Sequence, residues 1–396
     1  MKSNTPLTPF DSLIRAEVRR RGRITFAEFM AWALYHPRHG YYMTKVRTGR
    51  AGDFVTNVQT GPLFGKLLAE TFMEMWEGLG SEKMTLVELG GSDGALAESV
   101  LRALEEKGRA RWVSLHLVEA SPLARQAARR RLSRYGHIHI HGSLAEMEHT
   151  AGIEGCVYSN EFFDALPFHR VLWKDGRLWE WGVEMDGDSL CERPGPPSMG
   201  VAEALAVSGV SLEEGHEGEV CLSMDETMED VSRVLSRGFL MTVDYGGAGA
   251  ELFGDHRPRG TRRTFSKHAV GDEPFADIGN RDITAHVDFT RLAKLGEERE
   301  LKPLVYARQG SYFLSAGESV LRAAVEGTAE SDRGKMARQV QQLIHPHSFG
   351  GAFHVLVQGK NAGGLALSGM KTNRLQRLEV PAIQSKIFSS NFPSKS

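Results

Sequence analysis

The sequence predicts an α/β fold in which an open, mostly parallel sheet carries helices on both faces. Two observations support this class. Short apolar segments alternate with amphipathic helical segments from Met84 onward, and a glycine-rich turn at residues 90–94 follows the first apolar segment. Strands that alternate with helices in this way pair in parallel through right-handed crossovers. The 396 residues are 41% hydrophobic and 25% charged, a composition typical of globular proteins.

Residues 1–82 precede the sheet and are predicted to form a helical segment with one long loop. Helices are expected at 10–21, 26–35 and 63–79. Thr25 and Glu28 have the spacing of a capping box at the start of the second helix, and Pro37 ends that helix. Residues 39–60 are rich in glycine, threonine and asparagine and are interpreted as a long loop, which in a compact protein is usually either functional or disordered.

The sheet is predicted to use residues 83–160 and 238–360. Its strands are expected at 84–89, 112–118, 137–141, 155–159, 238–244, 301–306 and 353–358. Helices at 95–107 and 123–135 connect the first three strands. A further helix at 283–300 is predicted to begin at a cap formed by Asp282 or Thr284.

Residues 161–237 interrupt this pattern and are interpreted as an insertion that faces the substrate. The pair Asp175-Gly176 between two apolar segments predicts a β-hairpin, with strands at 169–174 and 177–184. Residues 185–218 are rich in glycine, proline, serine and glutamate, so a surface loop is expected there. A strand at 218–224 and a helix at 225–236 complete the insertion.

Charge and cysteine content limit the compartment and the partners. The 48 Lys and Arg residues nearly balance the 50 Asp and Glu residues, which argues against a nucleic-acid partner. No apolar segment approaches the roughly 20 residues that span a bilayer. Three cysteines without a CxxC pair favour a reducing, cytoplasmic compartment and no metal site. Residues 361–396 are basic and rich in glycine and serine, and they are interpreted as a flexible tail.

The glycine-rich turn is compatible with two cofactor classes. A dinucleotide-binding turn needs G-x-G-x-x-G/A, and its middle glycine lets the backbone approach the pyrophosphate. Here that frame gives Gly90, Ser92 and Ala95, so a side chain stands where a pyrophosphate would press. S-adenosyl-L-methionine carries no phosphate and removes this demand. The turn therefore favours S-adenosyl-L-methionine, and a nicotinamide dinucleotide stays the alternative.

Two acidic residues stand at the ends of the first two strands. Glu88 precedes the turn and can reach a ligand's ammonium group, and Glu119 can accept the hydroxyl groups of a ribose. We expect both to bind the cofactor. The turn residues predicted to bind with them are Gly90, Gly91, Ser92 and Gly94.

A second motif, NEFFDALP at residues 160–167, follows the fourth strand. Open α/β sheets bind ligands in the crevice beyond the carboxyl ends of their strands, so Asn160, Glu161 and Asp164 are expected there. Two carboxylates three residues apart suit the recognition of a cation. Asp164 as a helix cap is the structural alternative.

With these motifs in place, the sequence resembles the MidA family of S-adenosyl-L-methionine-dependent methyltransferases. This family includes a mitochondrial complex I assembly factor that dimethylates a protein arginine. The matching segments run from about residue 10 to about residue 360: TFAEFMAWALYHPRHGYY (25–42), GDFVT (52–56), LFG (63–65), residues 88–96, NEFFDALP, DYG (244–246), residues 260–261 and DITAHVDF (282–289). The combination of NEFFDALP with DITAHVDF is specific, whereas the glycine-rich turn alone is not.

The resemblance implies a Rossmann-like class I methyltransferase fold, S-adenosyl-L-methionine as cofactor and a protein substrate methylated on arginine. Glu161 is then the expected guanidinium ligand, assisted by Asp164, and His286 is a candidate acceptor of the released proton. Asn160 is expected at the cofactor, and Asp53, Phe54 and Thr56 are expected to fold over it as a lid. Asp244 is interpreted as a supporting, substrate-binding or turn-forming residue.

Two departures from the family pattern keep other functions open. The turn has Gly91-Ser92 where the family usually has Pro-Gly, and Gln59 replaces a carboxylate of the early loop. A non-catalytic assembly or chaperone-like protein with a methyltransferase fold therefore stays an alternative, as does an NAD-dependent oxidoreductase. A homodimer is compatible with the sequence.

Overall fold

The computed structural model describes residues 8–46, 57, 61–147, 152–266 and 269–379. Its helices are α1 (Pro9–Arg21), α2 (Phe26–Tyr35), α3 (Tyr41–Thr44), α4 (Pro62–Leu79), α5 (Ala95–Glu106), α6 (Pro122–Arg131), α7 (Val201–Val207), α8 (Ser223–Val234), α9 (Gly249–Leu252), α10 (Phe289–Glu297), α11 (Gln309–Ala316), α12 (Glu318–Glu326), α13 (Arg333–Ile344) and α14 (Phe349–Ala352). Its strands are β1 (Arg23–Thr25), β2 (Met84–Leu89), β3 (Val113–Val118), β4 (Ile138–His141), β5 (Ile153–Asn160), β6 (His169–Lys174), β7 (Arg177–Asp186), β8 (Ser189–Gly195), β9 (Glu217–Val220), β10 (Leu235–Gly247), β11 (Arg263–Ser266), β12 (Ala269–Gly271), β13 (Asp282–Thr284), β14 (Val287–Asp288), β15 (Lys302–Arg308) and β16 (Phe353–Lys360).

The main sheet has the strand order β15-β16-β10-β5-β2-β3-β4, with β14 paired to β10. The five strands from β10 to β4 are parallel, and β16 runs antiparallel to both of its neighbours. Leu67 of α4 and Leu101 of α5 are buried on one face of this sheet, and Met228 of α8 and Leu292 of α10 are buried on the other. The predicted α/β class with a mostly parallel sheet is therefore confirmed.

A second sheet joins the insertion to the N-terminal segment. Its order is β1-β7-β6-β9, and β8 pairs with β7. The predicted hairpin between β6 and β7 is present, and Asp175 and Gly176 both have positive φ angles, as a two-residue turn that follows the right-handed strand twist requires. The surface loop expected at 185–218 is wrong in part, because β8 and α7 lie there. Pairing with β7 overrides the loop-like composition of this segment.

The helix predicted at 283–300 is shorter than expected. Residues Asp282–Thr284 form β13, which pairs antiparallel with β11, and α10 begins only at Phe289. The cap is Asp288, whose side chain accepts a hydrogen bond from the Arg291 amide at 3.1 Å. Neither Asp282 nor Thr284 caps the helix, because both are paired in the small sheet β12-β11-β13.

The flexible tail predicted from residue 361 is wrong for residues 361–379. Leu367 and Leu378 are 3% and 5% exposed and belong to the core. Asn373 accepts a hydrogen bond from the Tyr306 amide of β15 at 3.0 Å. These apolar residues follow no helix or strand period, so the sequence gives no sign that they are buried. Within the described ranges, no helix combines the length and the apolarity needed to cross a membrane.

Candidate active site

A cavity of about 730 Å³ lies beyond the carboxyl ends of β2, β3 and β5. This volume is in the range of sites for small-molecule ligands and cofactors. The cavity brings together most of the residues that the sequence singled out: Glu88, Gly90, Gly91, Ser92, Glu119, Asn160, Glu161, Asp164 and His286. The predicted lid residues Asp53, Phe54 and Thr56, and the departure at Gln59, lie outside the described residues.

The turn between β2 and α5 is shaped by its close approach to β3. The amides of Gly90 and Gly91 both donate to the Val118 carbonyl, at 2.9 and 3.2 Å. Gly90 has a φ of 68°, and a Cβ at Gly91 would lie 2.4 Å from the Leu117 side chain. Glycine at these two positions therefore keeps the turn flat against the sheet, which leaves the space above it open for a ligand.

Gly94 does not line the cavity. Its φ is 77°, and a Cβ there would lie 3.1 Å from Leu132 and 3.3 Å from Ala128. It begins α5 against the α6 region, so its contribution to a cofactor site is indirect. Of the four turn residues predicted to bind the cofactor, Gly94 is thus the one that lies outside the cavity lining.

Glu119 links the turn to the start of α6. One carboxylate oxygen accepts the Ser92 amide at 2.9 Å, and the other accepts the Ser121 amide at 2.7 Å. Each oxygen keeps a further lone pair, and the side chain lines the cavity. Glu119 is therefore held in one orientation and can accept two hydroxyl groups, as a ribose requires.

Glu88 is the deepest acid on this side of the cavity, with 3% of its surface exposed. The Tyr158 hydroxyl donates to it at 3.1 Å. Burial raises the pKa of Glu88 to about 8, and the nearby Asp93 and Glu119 carboxylates add to the rise. Burial disfavours the ionised form of Glu88, and a neighbouring cation stabilises that form. Glu88 can therefore bind the ammonium group of an amino-acid moiety.

Glu161 begins the second half of the site directly after β5. Its Oε1 accepts the Asn57 backbone amide at 3.1 Å and the Asn160 side-chain amide at 3.0 Å. Burial raises the pKa of Glu161 to about 8, and the Asp244 and Asp282 carboxylates raise it further. Its φ of 51° is in the left-handed region, which is uncommon for glutamate and turns the side chain toward the cavity.

Asp164 follows one turn later and is 8% exposed. Its pKa is raised well above the usual value by burial and by three neighbouring carboxyl groups, Asp244, Glu161 and Asp282. The site thus brings several buried carboxyl groups close together, which disfavours their ionised forms. Such a cluster is stabilised when a cation enters it.

Asp244 holds the backbone of this segment rather than lining the cavity. It is 0% exposed, and its Oδ2 accepts the amides of Phe162 and Phe163 at 3.1 and 2.9 Å. Its Oδ1 accepts the Tyr245 amide at 2.8 Å. Of the roles that the sequence left open, the structure therefore supports the supporting one, because Asp244 lies within strand β10 and binds the segment after β5.

His286 lines the cavity, but its geometry argues against the proton-acceptor role that the sequence suggested. Its Nδ1 lies 2.8 Å from Nη1 of Arg257. Arginine only donates, so this nitrogen must accept and the ring proton is on Nε2. Burial and the charges of Arg257 and Arg263 lower the pKa of His286 to about 4, so it holds a second proton poorly at neutral pH.

Sequence reasoning missed an aromatic and acidic wall of the cavity. Tyr42 of α3 donates its hydroxyl to Asp282 of β13 at 2.8 Å, and its ring stacks on Tyr35 at a centroid distance of 5.5 Å. The Tyr35 hydroxyl in turn donates to the Ala165 carbonyl at 2.9 Å. Tyr42 lies in the motif segment 25–42 and Asp282 lies in the motif segment 282–289, so membership of these motifs is the signal that could have identified them.

Comparisons with known proteins agree with this geometry. The model of a family of S-adenosyl-L-methionine-dependent methyltransferases matches residues 67–307. The human mitochondrial protein named protein arginine methyltransferase NDUFAF7 is 28% identical over 392 residues, covering 89% of this chain and 84% of its own. A mitochondrial homologue of the same name from Drosophila melanogaster is 29% identical, covering 72% of this chain and 69% of its own.

A solved structure extends the similarity to the whole fold. The protein from Burkholderia thailandensis, crystallised with S-adenosyl-homocysteine, superposes with a TM-score of 0.84 at 26% identity, and the match covers 94% of this chain and 100% of that one. The donor set described above, with Glu88 and Glu119 at successive strand ends beside a glycine turn, fits S-adenosyl-L-methionine. The chain therefore belongs to this family of S-adenosyl-L-methionine-dependent methyltransferases.

Proposed function

We propose that this methyltransferase transfers the methyl group to an arginine side chain of a protein. The observation that carries the proposal is the cluster of three carboxyl groups, Glu161, Asp164 and Asp282, on one side of the cavity. Relatives that cover most of the chain bear the name protein arginine methyltransferase, which supports the same substrate class. A neutral nucleophile would gain nothing from three carboxyl groups, whereas a guanidinium compensates their charge.

The cavity residues overcome the poor nucleophilicity of arginine. S-adenosyl-L-methionine supplies an electrophilic methyl group on a sulfonium when it is bound. The guanidinium has a pKa above 12, and its lone pairs are delocalised. Glu161, fixed by two donors to its Oε1, binds the guanidinium and draws positive charge away from the attacking nitrogen. Asp164 binds or orients the same group.

The released proton also has an acceptor in this cluster. The pKa of Glu161 and that of Asp164 are raised by burial and by neighbouring carboxylates, so each can hold a proton at neutral pH. Tyr35 and Tyr42 close the cavity on the side of Asp282. Exclusion of water by these rings strengthens the interactions of the charged groups inside.

The test is labelled methyl transfer followed by identification of the modified residue. The purified chain is incubated with methyl-labelled S-adenosyl-L-methionine and a lysate of its source, and the labelled proteins are hydrolysed to amino acids. We expect labelled methylarginine. In Glu161→Gln, transfer should fall roughly 10²-fold or more, as for the loss of one preorganised electrostatic contact, while the affinity for S-adenosyl-homocysteine changes little.

A matched control variant makes this test specific. Glu203→Gln makes the same change at an exposed position of α7 and should retain full transfer. Label on another residue type, or full transfer by Glu161→Gln, contradicts the proposal. S-adenosyl-homocysteine binding without transfer to any protein would favour the non-catalytic assembly protein instead.

Location and assembly belong to the same proposal. Free Cys156, Cys191 and Cys221 support a reducing, cytoplasmic compartment, although the named relatives are mitochondrial. Fractionation of the source cells decides between these compartments. Analytical ultracentrifugation of the purified chain tests whether it forms the homodimer that the sequence allows.

A further inference from the structure

A chain of three side-chain amides leads from the far side of the core to the Glu161 carboxylate. It begins at Gln309, the first residue of α11, which is 0% exposed and belongs to none of the sequence motifs. It continues through Asn57, also 0% exposed, and ends at Asn160. The proposed role of Glu161 does not by itself explain why two fully buried amides stand behind it.

Gln309 and Asn57 bind each other through two reciprocal hydrogen bonds. Asn57 Nδ2 donates to Gln309 Oε1 at 2.9 Å, and Gln309 Nε2 donates to Asn57 Oδ1 at 3.1 Å. Such a ring leaves each amide one further N–H to donate. Gln309 gives its second N–H to the Leu343 carbonyl at 3.1 Å, and Asn57 gives its second to Asn160 Oδ1 at 3.1 Å.

The Leu343 carbonyl fixes the direction of the whole chain. It belongs to the last turn of α13, where carbonyls have no partner within the helix, and it can only accept. Gln309 must therefore turn its nitrogen toward Leu343 and its oxygen toward Asn57. This choice sets the orientation of Asn57, which in turn presents Asn160 with a donor and leaves the Asn160 nitrogen to face Glu161 at 3.0 Å.

The hydrogen bond from Gln309 to the Leu343 carbonyl requires α11 and α13 to pack closely. A Cβ at Gly310 would lie 2.2 Å from the Ile344 carbonyl oxygen, so only glycine beside Gln309 lets the two helix ends approach so closely. Asn57 also donates its backbone amide to Glu161 Oε1. The two groups that order this oxygen, the Asn57 backbone and the Asn160 side chain, are thus both held through Gln309.

We propose that Gln309 is a positioning residue for the Glu161 carboxylate, which it orders through Asn57 and Asn160. The donors converge on a single oxygen, so they favour the ionised carboxylate and fix its plane. The consequence for turnover rests on the proposed role of Glu161 as the guanidinium ligand, whereas the effect on the carboxylate itself does not.

The acidic groups around Glu161 disfavour its ionised form, whereas the amide chain favours it. The neighbouring titratable groups are Asp164 on the same segment, Asp244 and Tyr245 at the end of β10, and Asp282 on β13. The three carboxyl groups disfavour ionisation of Glu161. Burial acts in the same direction. Removal of the donors should therefore raise the pKa of Glu161 from its value of about 8.

The decisive experiment titrates Glu161 directly in the full-length protein. Carboxyl ¹³C NMR follows its signal, which is assigned by its disappearance in Glu161→Gln. Gln309→Met keeps the length and volume of the side chain but removes its hydrogen bonds. We expect the pKa of Glu161 to rise by roughly half a unit to one unit, because Asn57 and Asn160 are no longer held in the orientation in which they donate to the charged form.

The fold offers a matched control in Gln358 of β16. This glutamine is also 0% exposed, and its Nε2 donates to the Ala293 and Leu301 carbonyls without contact to the amide chain. Gln358→Met should destabilise the protein by a comparable amount and leave the Glu161 titration unchanged. Asn57→Ala, which removes the middle side chain but keeps the backbone donor, should reproduce the shift and serves if Gln309→Met fails to fold.

Turnover separates this inference from the proposed function. Since Glu161 must be ionised to bind a cation, the acid limb of the transfer rate should move to higher pH in Gln309→Met, with S-adenosyl-homocysteine affinity within about twofold of wild type. Coincident Glu161 titrations in Gln309→Met, Gln358→Met and wild type overturn the positioning role. A shifted titration together with full transfer by Glu161→Gln keeps the positioning role and refutes the guanidinium role.

Discussion

At the scale of single residues, ionisation of the buried acids of the cavity lowers the free energy of unfolding. The pKa of Glu161 is about 8 in the folded protein against an ordinary value of 4.5. A carboxyl whose pKa is raised binds its proton more tightly in the folded chain than in the unfolded one. The contribution of Glu161 to the free energy of unfolding is therefore most favourable below pH 4.5, falls as the pH rises from 4.5 through about 8, and is least favourable above that.

Replacement of Glu161 by glutamine should remove this loss of stability. Glu161→Gln keeps the shape and the hydrogen-bond acceptor but has no charge to bury. We expect its free energy of unfolding to exceed that of wild type at pH 9 by several kcal/mol, up to about 5 kcal/mol for a pKa raised from 4.5 to about 8, and to match it near pH 4, as measured by urea unfolding without ligands. Glu203→Gln should follow the wild-type curve throughout, and a constant offset across pH would refute this account.

The residues that sequence reasoning found are those next to a strand end. Glu88, Glu119 and Glu161 each follow or end a predicted strand, and the edge of a parallel sheet brings such positions together. Gln309 escaped because it stands in no motif, and only the tertiary fold brings it beside Asn57, 252 positions earlier in the chain. Asp282 stands in the DITAHVDF motif, but its contact with Tyr42, 240 positions away, could not be predicted from spacing. His286 of the DITAHVDF motif was predicted as a proton acceptor because imidazole titrates near neutral pH. Its contact with Arg257, which opposes that role, could not be predicted from the spacing of residues.

At the scale of elements, the site depends on the end of β10 as well as on β5, which Glu161 directly follows. β5 and β10 are parallel neighbours, and Asp244 reaches from one to the segment that follows the other. The sequence predicted both strands because their apolar residues are continuous. It could not predict the contact, since its partners are about 80 residues apart in the chain.

Asp244→Asn should disorder the segment that carries Asp164. The carboxylate accepts the Phe162 and Phe163 amides with one oxygen and the Tyr245 amide with the other. Asparagine has only one oxygen, so its side-chain nitrogen would face one of these two sets of backbone N–H groups. We expect a loss of about 2 kcal/mol in the free energy of unfolding and a fall in transfer of roughly tenfold or more, with S-adenosyl-homocysteine affinity nearly unchanged.

Asp288→Asn provides the comparison for this change. Asp288 is also a buried aspartate that accepts a backbone amide, but it caps α10, where asparagine caps about as well. We expect the Asp288→Asn variant to bind S-adenosyl-homocysteine, as measured by calorimetry, and to transfer labelled methyl groups nearly as well as wild type. An Asp244→Asn enzyme with normal transfer would show that the segment is held by other contacts.

At the scale of the whole molecule, the chain closes its core with residues far beyond the last strand of the sheet. Residues 361–379 cross α4 and β15, where Ser368 donates to Glu74 and Arg374 donates to the Tyr306 carbonyl. Propensity and period could not reveal this segment, because it docks through isolated leucines and short 3₁₀ turns.

Truncation measures what this docking contributes. Deletion of residues 361–396 should lower the Tm by about 5 °C or more, since it exposes apolar surface that Leu367 and Leu378 cover. Deletion of residues 380–396 alone leaves every described contact in place and should change the Tm little. Equal thermal unfolding of the two deletions, followed by circular dichroism, would show that residues 361–379 add no stability.

The acid cluster couples the binding of a cation to the release of protons. Burial raises the pKa of Glu161 to about 8 and raises the pKa of Asp164 as well, so these carboxyl groups bind protons near neutral pH more strongly than free carboxyl groups do. A cation that enters must displace those protons into the solvent, and the buffer takes them up with its own heat of ionisation. Calorimetry of an arginine peptide at pH 7 should therefore give apparent enthalpies that differ between phosphate and Tris, with a slope of roughly one proton per site. A substrate whose nucleophile is neutral should give the same heat in both buffers, so a pair of titrations reports the charge of the true substrate before any methyl group is transferred.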